Sequence, residues 1–154
     1  PCFLRLGREK VPVITTEKTP FEIGKANTLK DGKDITIIAC GVMVYEALVA
    51  AKELEKENIS ARVINLHTIK PIDEKTIIKA AKETKGIVTA EEHQIMGGMG
   101  SAVAEVVVKN KPAPMRFIGM NDRFGQSGKA DELMDFYGLR SKNIINAVYE
   151  ILGK

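Results

Sequence analysis

Four places in the chain combine residue types that chemistry can use. Gly97, Gly98 and Gly100, followed by Ser101, separate a strand-like run from a helix-like run. A loop of that kind can turn backbone N–H groups onto an anion at a helix N-terminus. The spacing matches neither the dinucleotide pattern nor the P-loop with its Lys, which favours a structural use: small residues let a helix approach a neighbouring backbone closely. Just upstream, Glu91, Glu92 and His93 lie at the carboxyl end of an expected parallel strand, the end at which open α/β sheets bind ligands. Two readings stand. His93 is a hydrogen-bond donor or proton carrier where two subunits meet, poised by Glu92; or the block is a polar loop that satisfies backbone groups and caps the next helix. Local sequence favours the second. Arg8, in Leu6-Gly7-Arg8-Glu9-Lys10, follows an alternating apolar segment and could grip a phosphate or carboxylate with two N–H groups, although most exposed arginines merely solvate a surface. His67, flanked by apolar residues and without a Cys or second His at ligand spacing, reads as a hydrogen-bonded loop residue. No Ser-His-acid grouping has a nucleophile-elbow context, and no metal motif is present.

The elements that must hold these residues alternate β and α from about residue 24, the pattern of parallel strands joined by crossover helices. Strands are expected at Gly24–Leu29, Asp34–Cys40, Ala61–Leu66, Gly86–Ala90 and Met115–Met120. The β-branched run DITIIAC suits a central strand covered on both faces. Lys30-Asp31-Gly32-Lys33 suits a tight hairpin joining the first two strands as an antiparallel edge pair. Helices are expected over Val42–Asn58, after an Asp73 N-cap, from about Gly98 through Val107, over Ala130–Tyr137, and after a capping Ser141. The expectation is a three-layer α/β/α domain on a five-stranded, mostly parallel mixed sheet.

Length and composition agree: 154 residues, 44% hydrophobic and 28% charged, are those of one ordinary globular domain with one main core. Basic and acidic residues number 23 and 20 and are interspersed, which gives nucleic-acid binding no support. The one basic cluster, Lys109, Lys111 and Arg116, is interrupted by Pro112 and Pro114 and reads as a solvated loop. Cys2 and Cys40 are too few for a disulfide framework and read as small buried hydrophobes. Apolar runs fall far short of a bilayer span, so no membrane partner is expected and a cytoplasmic location is the default. The chain opens at Pro1 on an alternating apolar segment, as though inside a strand, which suggests a fragment, a processed product or a chain whose earlier part is disordered.

Together these segments resemble the C-terminal end of transketolases, especially those split between two polypeptides. LRLGREKVPVI resembles the last strand and exit of the family's pyrimidine-binding domain. TIKPID, TAEEHQIMGGMGSAVAE and DRFGQSGKADELMDFYGL resemble successive blocks of its C-terminal domain. Deoxyxylulose-phosphate synthase and the β subunits of 2-oxoacid dehydrogenases share this domain, but Phe124-Gly125-Gln126-Ser127-Gly128 and the following Tyr137-Gly138-Leu139 look like split transketolases.

The resemblance implies a division into residues 1–19, a remnant of the pyrimidine-binding domain with its linker, and residues 20–154, the C-terminal domain. It also implies a parent enzyme of the pentose phosphate pathway that moves a two-carbon ketol unit between sugar phosphates. In that parent, thiamine diphosphate and Mg2+ supply the carbanion chemistry and are held by an N-terminal subunit or domain. This chain alone is expected to bind neither and to be inactive, its local role being to stabilise a homodimer. Arg8 matches the family's sugar-phosphate arginine, while Glu92, His93, Gly97 and Gly98 mark a candidate interface or ligand loop with no settled catalytic role. The alternatives are the synthase and a non-catalytic module binding an anion at the Gly97–Ser101 loop.

Overall fold

A computed structural model describes residues 1–7 and 9–154. Five strands, β1 (Asn27–Lys30), β2 (Ile35–Ala39), β3 (Ala61–Asn65), β4 (Ile87–Gln94) and β5 (Met115–Met120), form one sheet in the order β1-β3-β2-β4-β5. β3, β2, β4 and β5 are mutually parallel and β1 is the antiparallel edge. Helices α1 (Met43–Lys56) and α5 (Ser141–Leu152) cover one face, α2 (Glu74–Glu83) and α3 (Met99–Asn110) cover the other, and the short α4 (Ala130–Phe136) precedes α5. This is the expected three-layer mixed-sheet architecture.

The two apolar layers follow from strand alternation. Ile35, Ile37 and Ala39 of β2, with Val88 and Ala90 of β4, point into the layer under α1 and α5; Ile38 and Ile87 point into the layer under α2 and α3. Every residue of β2 is buried. Each buried Ile contributes about 1.5–3 kcal/mol relative to exposure, so the central strand holds the layers together. Asp73 caps α2 as expected, accepting from the Thr76 N–H at 3.1 Å and the Thr76 hydroxyl at 2.8 Å. Its carboxylate also accepts from the Ala26 N–H at 2.9 Å, which ties the entry segment to the domain.

Four expectations need correction. The turn at Asp31-Gly32 does not make a hairpin, because β1 pairs with β3 and not with β2. A Cβ on Gly32 would lie 2.3 Å from the Ala61 carbonyl carbon and the Arg62 nitrogen, so the turn passes directly against β3. Asp31 accepts from Arg62 at 2.9 Å, and the N–H groups of Lys33 and Asp34 reach the Ser60 carbonyl. Ser141 is the first residue of α5 and not its cap: the Glu46 carboxylate, from α1, accepts its N–H at 2.7 Å and pairs with Arg140 at 3.3 Å. Cys2 is exposed and Cys40 only partly buried. Of the basic cluster only Lys111 lies in a loop; Lys109 is in the last turn of α3, and Arg116, in β5, pairs with Glu150 at 2.6 Å.

Candidate functional site

The winding of the sheet marks a crevice. The connection through α1 leaves β2 toward one edge on one face, and that through α3 leaves β4 toward the other edge on the opposite face. The strand order therefore switches between the carboxyl ends of β2 and β4, the place where such sheets bind ligands. Cys40 and Gly41 follow β2 there, and Glu91 to Gln94 finish β4.

Glu91 is the chemically distinctive residue at this end and the one that sequence reasoning passed over in favour of Glu92. Only 2% exposed, it turns both carboxylate oxygens onto the first turn of α3, accepting from the Met99 N–H at 2.6 Å and the Gly100 N–H at 2.8 Å. A carboxylate at this position also opposes the positive end of the helix dipole. Three glycines make room for it. A Cβ on Gly98 would meet Glu91 Oε2 and the Gln94 carbonyl at 2.4 Å, one on Gly100 would lie 3.2 Å from Glu91 Oε1, and one on Gly119 would lie 3.4 Å from Glu91 Cγ. The signal was available in the alternation: Ile87, Thr89 and Glu91 share the face under α3, whereas Glu92 has the opposite parity.

At the Gly97–Ser101 loop an internal carboxylate occupies two of the N–H donors that an anion cradle would use. Gly97 serves a turn instead, with φ of +76°, and its N–H donates to Ser101 Oγ at 3.0 Å while the Ser101 hydroxyl donates to the Ile95 carbonyl at 2.7 Å. The second local reading of the block, a cap on the next helix, holds, with Glu91 as the capping residue.

Glu92 and His93 are exposed. His93 Nδ1 lies 2.9 Å from the Gln94 carbonyl, and Gln94 donates to the Arg123 carbonyl at 2.8 Å, joining β4 to the loop after β5. The Glu92 carbonyl accepts from Arg5 Nη1 at 3.0 Å. Arg8 itself lies outside the described residues. His67 is elsewhere, after β3, stacked on Phe21 with ring centroids 4.7 Å apart and with Nδ1 3.1 Å from the Thr68 hydroxyl. The structure thus gathers Arg5, Cys40, Glu91, Glu92 and His93 toward one end of the sheet and leaves His67 apart. Burial pushes the Cys40 thiol up to about 11, Glu91 and Glu92 adding to the rise and Arg5 opposing it, so Cys40 is a poor nucleophile.

Two surface cavities lie away from the crevice. One, of about 290 Å³, is lined by Thr28, Asp31, Arg62, Thr76 and Lys79, and the other, of about 330 Å³, by Arg116, Asn121, Tyr137, Asn143 and Glu150. Among the described residues no three His, Cys, Asp or Glu side chains converge as a metal site. No helix among them is long and apolar enough to cross a membrane.

Residues 24–144 match the family model described as transketolase, C-terminal domain. The chain is 44% identical over 151 residues to the 6-deoxy-6-sulfo-D-fructose transketolase subunit SqwH of Clostridium sp. strain MSTE9, covering 98% of this chain and 47% of that protein. It is 43% identical over 155 residues to a subunit of the apulose-4-phosphate transketolase of Phocaeicola vulgatus, covering all of this chain and 49% of the relative. A solved split-gene transketolase, described as an inactive β4 tetramer, superposes with a TM-score of 0.91 at 44% identity over 95% of this chain and 48% of its own. The chain therefore spans about half the length of these relatives.

Proposed function

The chain belongs to the transketolase C-terminal domain family, and on that premise we propose that it is the C-terminal section of an enzyme transferring a two-carbon ketol unit between sugars. The observation that carries this reading is that the chain matches, from end to end and at more than 40% identity, about half the length of subunits named as transketolases. In this reading residues 1–19 belong to a pyrimidine-binding domain and residues 20–154 form the C-terminal domain. The described residues offer no acidic or histidine cluster for a metal-diphosphate group. In this reading thiamine diphosphate and Mg2+ are held by the rest of the parent, and the chemistry they supply there is carbanion stabilisation. What this section contributes is a rigid sheet end, an assembly surface including the exposed Glu92, His93 and Met96, and Arg8 as an anion contact.

Two relatives bear the names of anionic sugars, one sulfonated and one phosphorylated. A guanidinium at Arg8 suits either oxyanion, since both present oxygens to a forked donor. The substrate class is accordingly a sugar with a terminal oxyanion, the pentose phosphate pathway being one setting, and the working form a cytoplasmic homodimer of the complete parent.

The test is reconstitution of the complete enzyme with its N-terminal section, thiamine diphosphate and Mg2+, assayed for ketol transfer from phosphorylated and sulfonated ketoses. Transfer to an aldose supports the reading. Carbon dioxide release from pyruvate in its place would identify a synthase, and absence of both would sink the proposal. Arg8→Ala should weaken oxyanion-bearing sugars by about 1.5–3 kcal/mol, the worth of a charge-assisted hydrogen bond, and spare sugars that carry neither phosphate nor sulfonate.

A further inference from the structure

The two edges of the sheet differ in how they are protected. β1 has four residues, its register against β3 shifts between Thr28 and Lys30, and Lys30 pairs with Glu55 at 3.0 Å. Short, irregular, lysine-bearing edges resist pairing with another chain. β5 has six residues, and from Phe117 to Met120 it carries neither charge nor proline. The Ile87 N–H donates to the Pro114 carbonyl and the Ile95 N–H to the Met120 carbonyl, so the even-numbered residues of β5 bond to β4 and the odd-numbered ones turn their backbone groups outward. Arg116 closes the start of this edge, its Nη1 donating to the outward Met115 carbonyl at 3.0 Å and its Nε to Glu150 at 2.6 Å. The N–H and C=O groups of Phe117 and Gly119 have no partner among the described residues.

Helix α5 lies beside the same edge and runs antiparallel to β5. Its Ser141 N–H reaches Glu46 at the carboxyl end of the sheet, and at the other end Ile151 would meet a Cβ on Gly86 at 2.7 Å. Asn143, Asn146 and Glu150 form a stripe along α5 that lines, with Phe117 and Gly119, the cavity of about 330 Å³. Asn143 Oδ1 is buried without a hydrogen-bond partner.

We propose that the β5 edge and the Asn143–Glu150 stripe of α5 form the surface by which two copies of this chain associate, β5 pairing with β5 antiparallel across a two-fold axis at Ile118. The open groups match themselves about that axis: Phe117 of each copy exchanges two backbone hydrogen bonds with Gly119 of the other, which uses all four free groups. Because Glu150 sits over Arg116 at the start of β5, the same axis falls near Asn146 on α5. Asn146 then meets its own copy, and the Asn143 amide meets Glu150 of the second copy as an acceptor. No like charges face each other, since residues 117–120 are uncharged and Arg116 and Glu150 neutralise one another. That neutrality favours a second copy over an anionic or nucleic-acid partner. The inference gives a face to the homodimer proposed above and rests on that reading.

The experiment compares the 154-residue chain with the complete parent, reconstituted as above, in a Cys2→Ser background that removes the exposed thiol. A residue on the axis of an antiparallel pair stands about 4.5 Å from its copy, Cα to Cα, a separation that a disulfide spans. Ile118→Cys should therefore give a covalent dimer on mild oxidation, whereas Thr28→Cys on the β1 edge should not. Asn146→Glu, which sets like charges face to face, should raise the dimer dissociation constant about tenfold or more in sedimentation equilibrium while circular dichroism stays unchanged. If Ile118→Cys fails to fold, Asn146→Cys with a short bismaleimide reads the same contact across α5. Absence of both cross-links, or a dimer indifferent to Asn146→Glu, would overturn the proposal. Cross-linking in the chain but not in the complete parent would show that the rest of the parent covers this edge and would overturn it as well. A monomeric parent would remove the homodimer reading and this face together, whereas a dimeric parent that neither cross-links nor responds to Asn146→Glu would remove this face alone.

Discussion

Replacing Glu91 should cost more than replacing any neighbouring polar residue, and the way the cost depends on the replacement tests the geometry. Glu91→Ala leaves the N–H groups of Met99 and Gly100 buried without acceptors and removes two charge-assisted bonds of 2.6 and 2.8 Å. Each such bond contributes about 1.5–3 kcal/mol. Against this stands the relief from holding a buried carboxylate out of water, which offsets part of the gain. The net expectation is a loss of about 3 kcal/mol, within the range for a disrupted N-cap and an unsatisfied buried donor together. Glu91→Gln is nearly isosteric yet keeps only one acceptor oxygen. Its NH2 group must face one of the two backbone donors, so it should still lose about 2 kcal/mol. With a urea m-value of about 2 kcal/mol/M, the unfolding midpoint followed by circular dichroism should fall by roughly 1.5 M for Ala and roughly 1 M for Gln. Amide exchange at Met99 and Gly100 should rise in both. A Gln variant indistinguishable from the parent would refute the claim that both oxygens are needed as acceptors.

Gly100→Ala should destabilise the domain by about 1–3 kcal/mol through overpacking, because the new methyl would lie 2.7 Å from both the Phe117 ring and the Thr89 hydroxyl; Gly97→Asn, at a position with φ of +76° and open space around it, should stay within about 0.5 kcal/mol in the same urea titration. For the thiols, a disulfide reagent at pH 8 should modify the exposed Cys2 rapidly and Cys40 far more slowly, since a thiol raised to about 11 holds almost no thiolate there; two equally fast thiols would contradict the placement of Cys40. Burial pushes the Asp73 carboxyl up, but hydrogen bonds from the Ala26 N–H and from the Thr76 hydroxyl and N–H outweigh it and hold it below the usual carboxylate value. A depressed pKa contributes stability that is present above the unfolded-state value near 3.9 and lost as pH falls through the folded one. Urea titrations at pH 5, 4 and 3 should accordingly show a steeper loss for the parent than for Asp73→Asn, and parallel curves would show that Asp73 contributes nothing to the acid limb.

How much of this was legible depended on whether the controlling partner was near in sequence. Strand and helix identities follow from local periodicity, as in the β-branched run of β2 or the stripe Ile77, Ala80 and Ala81 on α2. Asp73 was readable as a cap because Thr76 lies three residues on. Ser141 was misread as one because its real partner, Glu46, comes from α1, 95 residues away. The β1 hairpin failed for the same reason: Asp31-Gly32 has local turn chemistry, but a glycine flush against Ala61 and an aspartate paired with Arg62 direct the chain to β3. The site block shows both cases side by side. Alternation alone should have separated Glu91 from Glu92, one facing α3 and the other not. The contact from Arg5 to Glu92 spans 87 residues and lands on a backbone carbonyl, an acceptor every residue possesses, so no side-chain pattern could have announced it. That carbonyl lies where the register of β4 against β5 shifts, between Ala90 and Gln94, beside the buried Glu91 carboxylate and Gly119. The acidic residue and the glycines of this block are therefore read together more accurately than apart: the glycines supply the space, the carboxylate fills it, and the displaced backbone becomes the contact surface.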